Sequence, residues 1–159
     1  MSKSAEVAAV EAALDGVLAK LLVASSGSRV TLRIDDDQRG WDVDFICAEA
    51  LKNDVKSLRG DGGIDQRAAA TVHWMDEHRV NLIQPDLTGK PDPAPPPALL
   101  SMYAAKAQML GPLFNKAGEL QGWISVHYVD GTHQFTDAEI AALEEAKAEV
   151  KRLTGIGSP

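Results

Sequence analysis

Cysteine is nearly absent from this chain of 159 residues, which has only Cys47. One thiol excludes an internal disulfide and any cysteine-based metal cluster. Aromatic residues are scarce too, at 5%, so aliphatic and alanine side chains must fill the core. Apolar runs are short and broken by charges, well below the roughly 18 residues that a membrane span needs. No membrane association is expected. A basic cluster is also missing: lysine and arginine are scattered, and the net charge of −7 gives a field that repels phosphate backbones. Nucleic acid is therefore not an expected partner. The N-terminus has an early Glu6 and no apolar segment of the secretory kind. With the lone cysteine, this points to the cytoplasm. The common catalytic signatures are absent as well: no phosphate-binding Gly-Lys-Ser/Thr loop, no Gly-x-Ser-x-Gly elbow, no His-Glu-x-x-His. Asp35, Asp36 and Asp37 look like a metal cluster only superficially and read as a solvated turn.

What is present describes one globular domain over residues 1–159, with 45% hydrophobic residues and no internal repeat. Residues 4–24 have apolar positions at helical spacing, including Val7, Val10, Leu14, Leu18 and Leu21. Val30 to Ile34 alternates as a half-buried strand does. After a polar turn, Val43 to Ala48 is expected to be its hairpin partner. Gly60, Gly62 and Gly63 punctuate the next junction. Ile64, Ala68, Val72 and Met75 then mark one stripe of a helix ending near Arg79. Val80 to Ile83 is a short strand. Residues 88–97 hold five prolines and form either an ordered lid or a tolerated insertion. A helical turn or loop follows over 98–103. Ala104 to Phe114 and Leu120 to Val129 read as two strands of a hairpin. Thr136 and Glu139 fit a capping box that opens a C-terminal helix, whose stripe runs through Ile140, Leu143, Ala146, Val150 and Leu153.

The segment from Gly111 to His127 resembles the C-terminal signature of GAF domains. It has a Pro-Leu strand end at Pro112 and Leu113, a glycine turn, and Gly122 leading into an alternating strand. Phe135 to Glu139 then provides the aromatic-Thr-acidic helix start. The resemblance is clearest over residues 104–153. It implies an α+β, GAF-like fold: a central antiparallel sheet of five or six strands, the N- and C-terminal helices on one face, and a ligand pocket on the other. It also implies a homodimer formed through the terminal helices.

Strand alternation divides the two faces. Val30, Leu32 and Ile34, Ala105, Ala107 and Met109, and Ile124, Val126 and Tyr128 form the apolar side. Thr31, Arg33, Lys106, Gln108, Trp123, Ser125 and His127 form the mixed side. That side could wall a pocket with convergent polar groups, or it could simply be solvated. Arg67 and Trp74 on the middle helix could roof it, although Trp74 also suits ordinary packing; His73 and His78 read as surface residues. The candidate ligand-binding set is thus Arg33, Arg67, Trp74, Lys106, Gln108, Trp123, Ser125 and His127. His127 could recognise a ligand or be a satisfied core histidine. With Arg33 and Lys106 it leans the site towards a small anionic or carbonyl-bearing ligand.

The favoured reading is a small-molecule-binding sensor that acts through a separate output protein. A second is an enzyme on the same scaffold. In the GAF-type free methionine-(R)-sulfoxide reductases, the substrate-binding acids match Gln108, Ser125 and His127 of this chain, and the nucleophilic cysteine falls near Ser101. Without a thiolate and a resolving thiol that cycle fails. A third reading is a ligand-free dimerisation module. Some GAF domains bind tetrapyrroles, but Cys47 is not in the usual attachment neighbourhood. No cofactor can be named from the sequence.

Overall fold

The computed structural model describes residues 4–62 and 64–157. Gly63 of the expected glycine junction, the first three residues and the last two lie outside them. Helix α1 spans Ala5–Ser25. It starts where the Ser4 hydroxyl accepts from the Val7 N–H at 3.1 Å, and Ser26 closes it in the left-handed region at φ 56°. Strand β1 is Arg29–Ile34 and β2 is Ala48–Leu51. A 3-10 turn at Gln66–Ala68 precedes α2, Ala70–His78. Then come β3 (Leu82–Gln84), the short α3 (Pro97–Ser101), β4 (Ala107–Phe114), β5 (Leu120–Tyr128) and α4 (Asp137–Thr154). The Thr136–Glu139 capping box is formed in both directions.

The five strands run in the order β2-β1-β5-β4-β3, and every neighbouring pair is antiparallel. On one face, Leu14, Leu18 and Leu21 of α1 and Leu143, Ala146 and Val150 of α4 close over Val30, Leu32, Ile34, Met109, Ile124 and Val126. This is the apolar side that alternation predicts. Gly122 is required where β5 crosses β1, because a Cβ there would lie 2.2 Å from the Arg33 carbonyl oxygen. On the opposite face, Val72 and Met75 of α2 pack with Val43, Leu82, Leu110, Leu120 and Trp123. Among the described residues no helix is long and apolar enough to cross a membrane.

Several elements depart from the sequence expectation: β3 covers Leu82–Gln84 instead of 80–83, β4 starts at Ala107 instead of Ala104, which leaves Ala105 and Lys106 outside the strand, and two larger departures follow. The second strand lies at Ala48–Leu51, not over 43–48. The aspartates before it capture backbone donors: Asp35 accepts from Val43 N–H, Asp42 from Asp44 N–H, and Asp44 from Gln66 N–H. Such side-chain acceptors compete with a strand ladder. Asp36 likewise accepts from Gln38 and Arg39 N–H, so the aspartate-rich turn is a turn-building device. The expected single helix after Ile64 is broken at Ala69, whose extended ψ of 138° separates the 3-10 turn from α2.

Candidate ligand site

The α2 side of the sheet holds a small cavity of about 40 Å³, room for about three water molecules. Thr31 and Arg33 of β1, Gln108 of β4, and Trp123, Ser125 and His127 of β5 form its floor. Thr71 and Val72 of α2 and Gln66 of the 3-10 turn form one wall, and Pro95, Pro96, Leu99 and Tyr103 close it from the proline-rich side. The 88–97 segment is therefore packed over the cavity, with Leu87 N–H and the Lys106 carbonyl pinning its base at 2.8 Å.

Register sets a polar row across this floor. Arg29 of β1 stands opposite His127 of β5, His127 opposite Gln108 of β4, and Gln108 opposite Gln84 of β3. Arg29 Nε donates to His127 Nδ1 at 3.3 Å, and both Arg29 Nη atoms donate to the Tyr103 carbonyl. Since Nδ1 accepts from a permanent cation, the His127 proton belongs on Nε2. Burial first, and then the Arg29 and Arg33 charges, hold this imidazole well below the ordinary histidine value. It is a neutral N–H donor at neutral pH. At the far end, Gln84 Nε2 donates to the Pro93 carbonyl at 2.8 Å, and Gln108 Nε2 donates to Gln84 Oε1 at 2.7 Å. The Pro93 carbonyl can only accept, so the orientation of both amides is fixed.

Arg33 is 5% exposed. Its Nη1 donates to the Val43 carbonyl at 2.9 Å, and no carboxylate lies within ion-pair distance of it among the described residues. Burial lowers its pKa, while Asp44 and Asp61 act in the opposite direction from further away. The Thr31 and Ser125 hydroxyls make no hydrogen bond within the described residues. Tyr103 is anchored at both ends, since its hydroxyl donates to Asp61 and its carbonyl accepts from Arg29.

Of the eight candidate residues, Arg33, Gln108, Trp123, Ser125 and His127 meet around the cavity. Arg67, Trp74 and Lys106 do not. Arg67 turns outward to the Asp35 carboxylate and the Leu120 carbonyl. Trp74 stacks on His78 with centroids 4.2 Å apart and packs against the second apolar cluster. The break at Ala69 takes Arg67 off the stripe of Thr71, while within α2 it is Thr71, Val72 and Met75 that are buried, which leaves Trp74 beside that face. Lys106 lies just before β4 and is exposed, as a long cationic stem at a strand end commonly is. Arg29, Gln84, Gln66 and Tyr103 are further polar members of the site or its support. Arg29 and Gln84 each fall one residue outside the expected strands; extending the β1 alternation from Arg33 and Thr31 by two residues reaches Arg29.

No protein-family model and no curated protein sequence matches the chain. Solved structures do match. The cyanobacteriochrome receptor PixJ superposes with a TM-score of 0.72 at 18% identity, covering 94% of this chain and 97% of that one. The blue-light-absorbing form of the Thermosynechococcus elongatus PixJ GAF domain gives 0.69 at 17% identity, over 96% and 91%. A phycoerythrobilin-bound GAF domain from a cyanobacterial phytochrome gives 0.67 at 14%, over 91% and 84%. The fold is that of a GAF domain. At these identities the likeness carries the architecture, and the contents of the GAF cavity are decided by its own side chains. Cys47 does not line that cavity: it packs in the core beneath the terminal helices, its Sγ is 3.5 Å from the Leu32 carbonyl, and burial pushes the thiol up to about 12.

Proposed function

We propose that this chain is a cytoplasmic, ligand-binding sensory GAF domain whose cavity takes a small anion, without chemistry of its own. The observation that carries this reading is Arg33, a buried guanidinium in the cavity wall with most of its donors uncommitted. A buried cation whose counter-charges, Asp44 and Asp61, lie beyond ion-pair distance is expensive, and an anion placed against it relieves that cost. The neutral His127 N–H and the Ser125 and Thr31 hydroxyls add donors on the same floor. The GAF neighbours that carry chromophores support a sensory role for the scaffold. A linear tetrapyrrole is disfavoured here, because drug-sized ligands occupy roughly 300–1,000 Å³, far above the cavity volume. The buried, protonated Cys47 suits neither chromophore attachment nor reductase chemistry.

The signal would leave through the α1/α4 surface. Val17, Lys20, Leu21 and Ala24 of α1 and Ala142, Glu145, Ala146 and Glu149 of α4 line an open groove there. That surface suits a second copy of the chain and, beyond it, an output partner. The anion reading is tested by a thermal-shift panel of inorganic anions and short carboxylates against the wild type and Arg33→Met. At a hundredfold excess over Kd, a bound anion stabilises by about 2.7 kcal/mol. That gain is expected in the wild type and absent from the variant. Silence across the anions, with binding only to cations or apolar compounds, would overturn it.

A further inference from the structure

The polar row on the cavity floor is a chain of hydrogen bonds with one gap. From the β1 end the donors run Arg29 to His127; at the β3 end they run Gln108 to Gln84 to the Pro93 carbonyl. Between the halves stand His127 and Gln108, directly opposite in register and not bonded to each other. Both residues line the cavity, and with Nδ1 taken by Arg29 the imidazole has its Nε2–H left to donate. Gln108 is 1% exposed, and its Oε1 is buried without a partner among the described residues. The amide cannot flip to hide this atom, because Nε2 is committed to Gln84. An unsatisfied buried acceptor is costly. One group that accepts from His127 and donates to Gln108 would close the row with every donor pointing the same way, an arrangement in which neighbouring bonds strengthen each other. A carboxylate cannot do this, since it only accepts; a hydroxyl can.

Arg33 lines the same cavity four residues along β1, and the Thr31 and Ser125 pair stands between it and the row. We propose that the cavity is built for a small anion that carries a hydroxyl: the hydroxyl bridges His127 Nε2 and Gln108 Oε1, and the anionic end meets Arg33. This rests on the anion reading of the same cavity and narrows it to a ligand class. A short 2-hydroxy acid and a protonated inorganic oxyanion share this chemistry, and both suit a cavity with room for about three waters.

Calorimetry with matched probes near pH 8 tests the idea. Glycolate differs from acetate by the hydroxyl, and hydrogen phosphate differs from sulfate by the proton at equal charge. The hydroxyl-bearing member of at least one pair is expected to bind about tenfold more tightly; the pair that discriminates identifies the organic or the inorganic source. In Gln108→Leu the preference should shrink to within about threefold, because the acceptor for the hydroxyl goes with the amide, along with its bond to Gln84, which all four probes lose alike. In the wild type, the favoured probe should also shift the His127 Nε2 nitrogen resonance, a readout that does not depend on the variant folding. Equal binding within both pairs, or a preference that survives Gln108→Leu, overturns the hydroxyl requirement and leaves the anion reading standing. Silence with all four probes overturns both.

Discussion

At His127 the ring is held between the Arg29 guanidinium and the cavity, and burial with two nearby cations keeps it neutral. The consequence for stability has a definite sign. In the unfolded chain the imidazole titrates near 6.5; in the fold it titrates well below that value. As pH falls below about 6.5, the unfolded state takes up a proton that the folded state refuses. Stability therefore drops by up to about 1.4 kcal/mol per pH unit down to the folded pKa, and is unaffected above 6.5. Urea unfolding at intervals between about pH 7 and 5 should show this slope, and His127→Gln should flatten it. An identical slope in the variant would assign the acid sensitivity elsewhere. Strand alternation makes the mixed-face position of His127 legible, but not its tautomer. The tautomer depends on Arg29, 98 positions away in the chain.

At the scale of elements, β5 approaches the β1 backbone closely at Gly122, next to Arg33. A methyl group there meets backbone, the Arg33 carbonyl, at 2.2 Å, and a backbone atom cannot rotate away as a side-chain tip can. Gly122→Ala is expected to cost about 1–3 kcal/mol and to weaken anion binding by displacing Arg33. A melting curve within error of the wild type would contradict this. The capped α4 was readable residue by residue, because a capping box is a local device in which four consecutive positions satisfy each other. The β2 hairpin was misread for the complementary reason. The apolar pattern over 43–48 is strand-like, yet Asp35, Asp42 and Asp44 offer the backbone local acceptors, and the ladder forms later, at Ala48. The middle helix breaks at Ala69, just after Asp65 accepts from Ala68 N–H, and that single extended residue takes Arg67 out of phase with Thr71.

Across the whole molecule, the sheet separates two kinds of surface: a dry core under α1 and α4, and a small polar cavity under α2 and the proline-rich segment. If the groove between α1 and α4 joins two copies, a charge at its lip should part them. Ala24 is exposed and lines the groove with Lys20, Glu145, Glu149 and Arg152, two charges of each sign, so Ala24→Glu leaves each copy with an excess negative charge that pairing would bury. Sedimentation is expected to show a dimer for the wild type and a monomer for the variant; a wild-type monomer would remove the dimer from the reading. The cavity and the groove lie on opposite faces of one five-stranded sheet, so a binding event in the cavity would reach the terminal helices through strands whose alternate side chains face both.

The sequence by itself determined the order of the main elements, the capping box of α4 and which residues within a strand share a face. These follow from local spacing: a period of two in strands, 3.6 in helices, and caps closed within four residues. It was enough to bring five of the eight candidate residues to one cavity. Only the tertiary structure decided the cavity's volume, its closure by Pro95, Pro96 and Tyr103, and the row from Arg29 to Gln84. That row depends on the register of four strands, and register is a relation between segments distant in the chain. His127 thus changes from one polar residue on a mixed face to one side of a gap, with the buried Gln108 oxygen on the other.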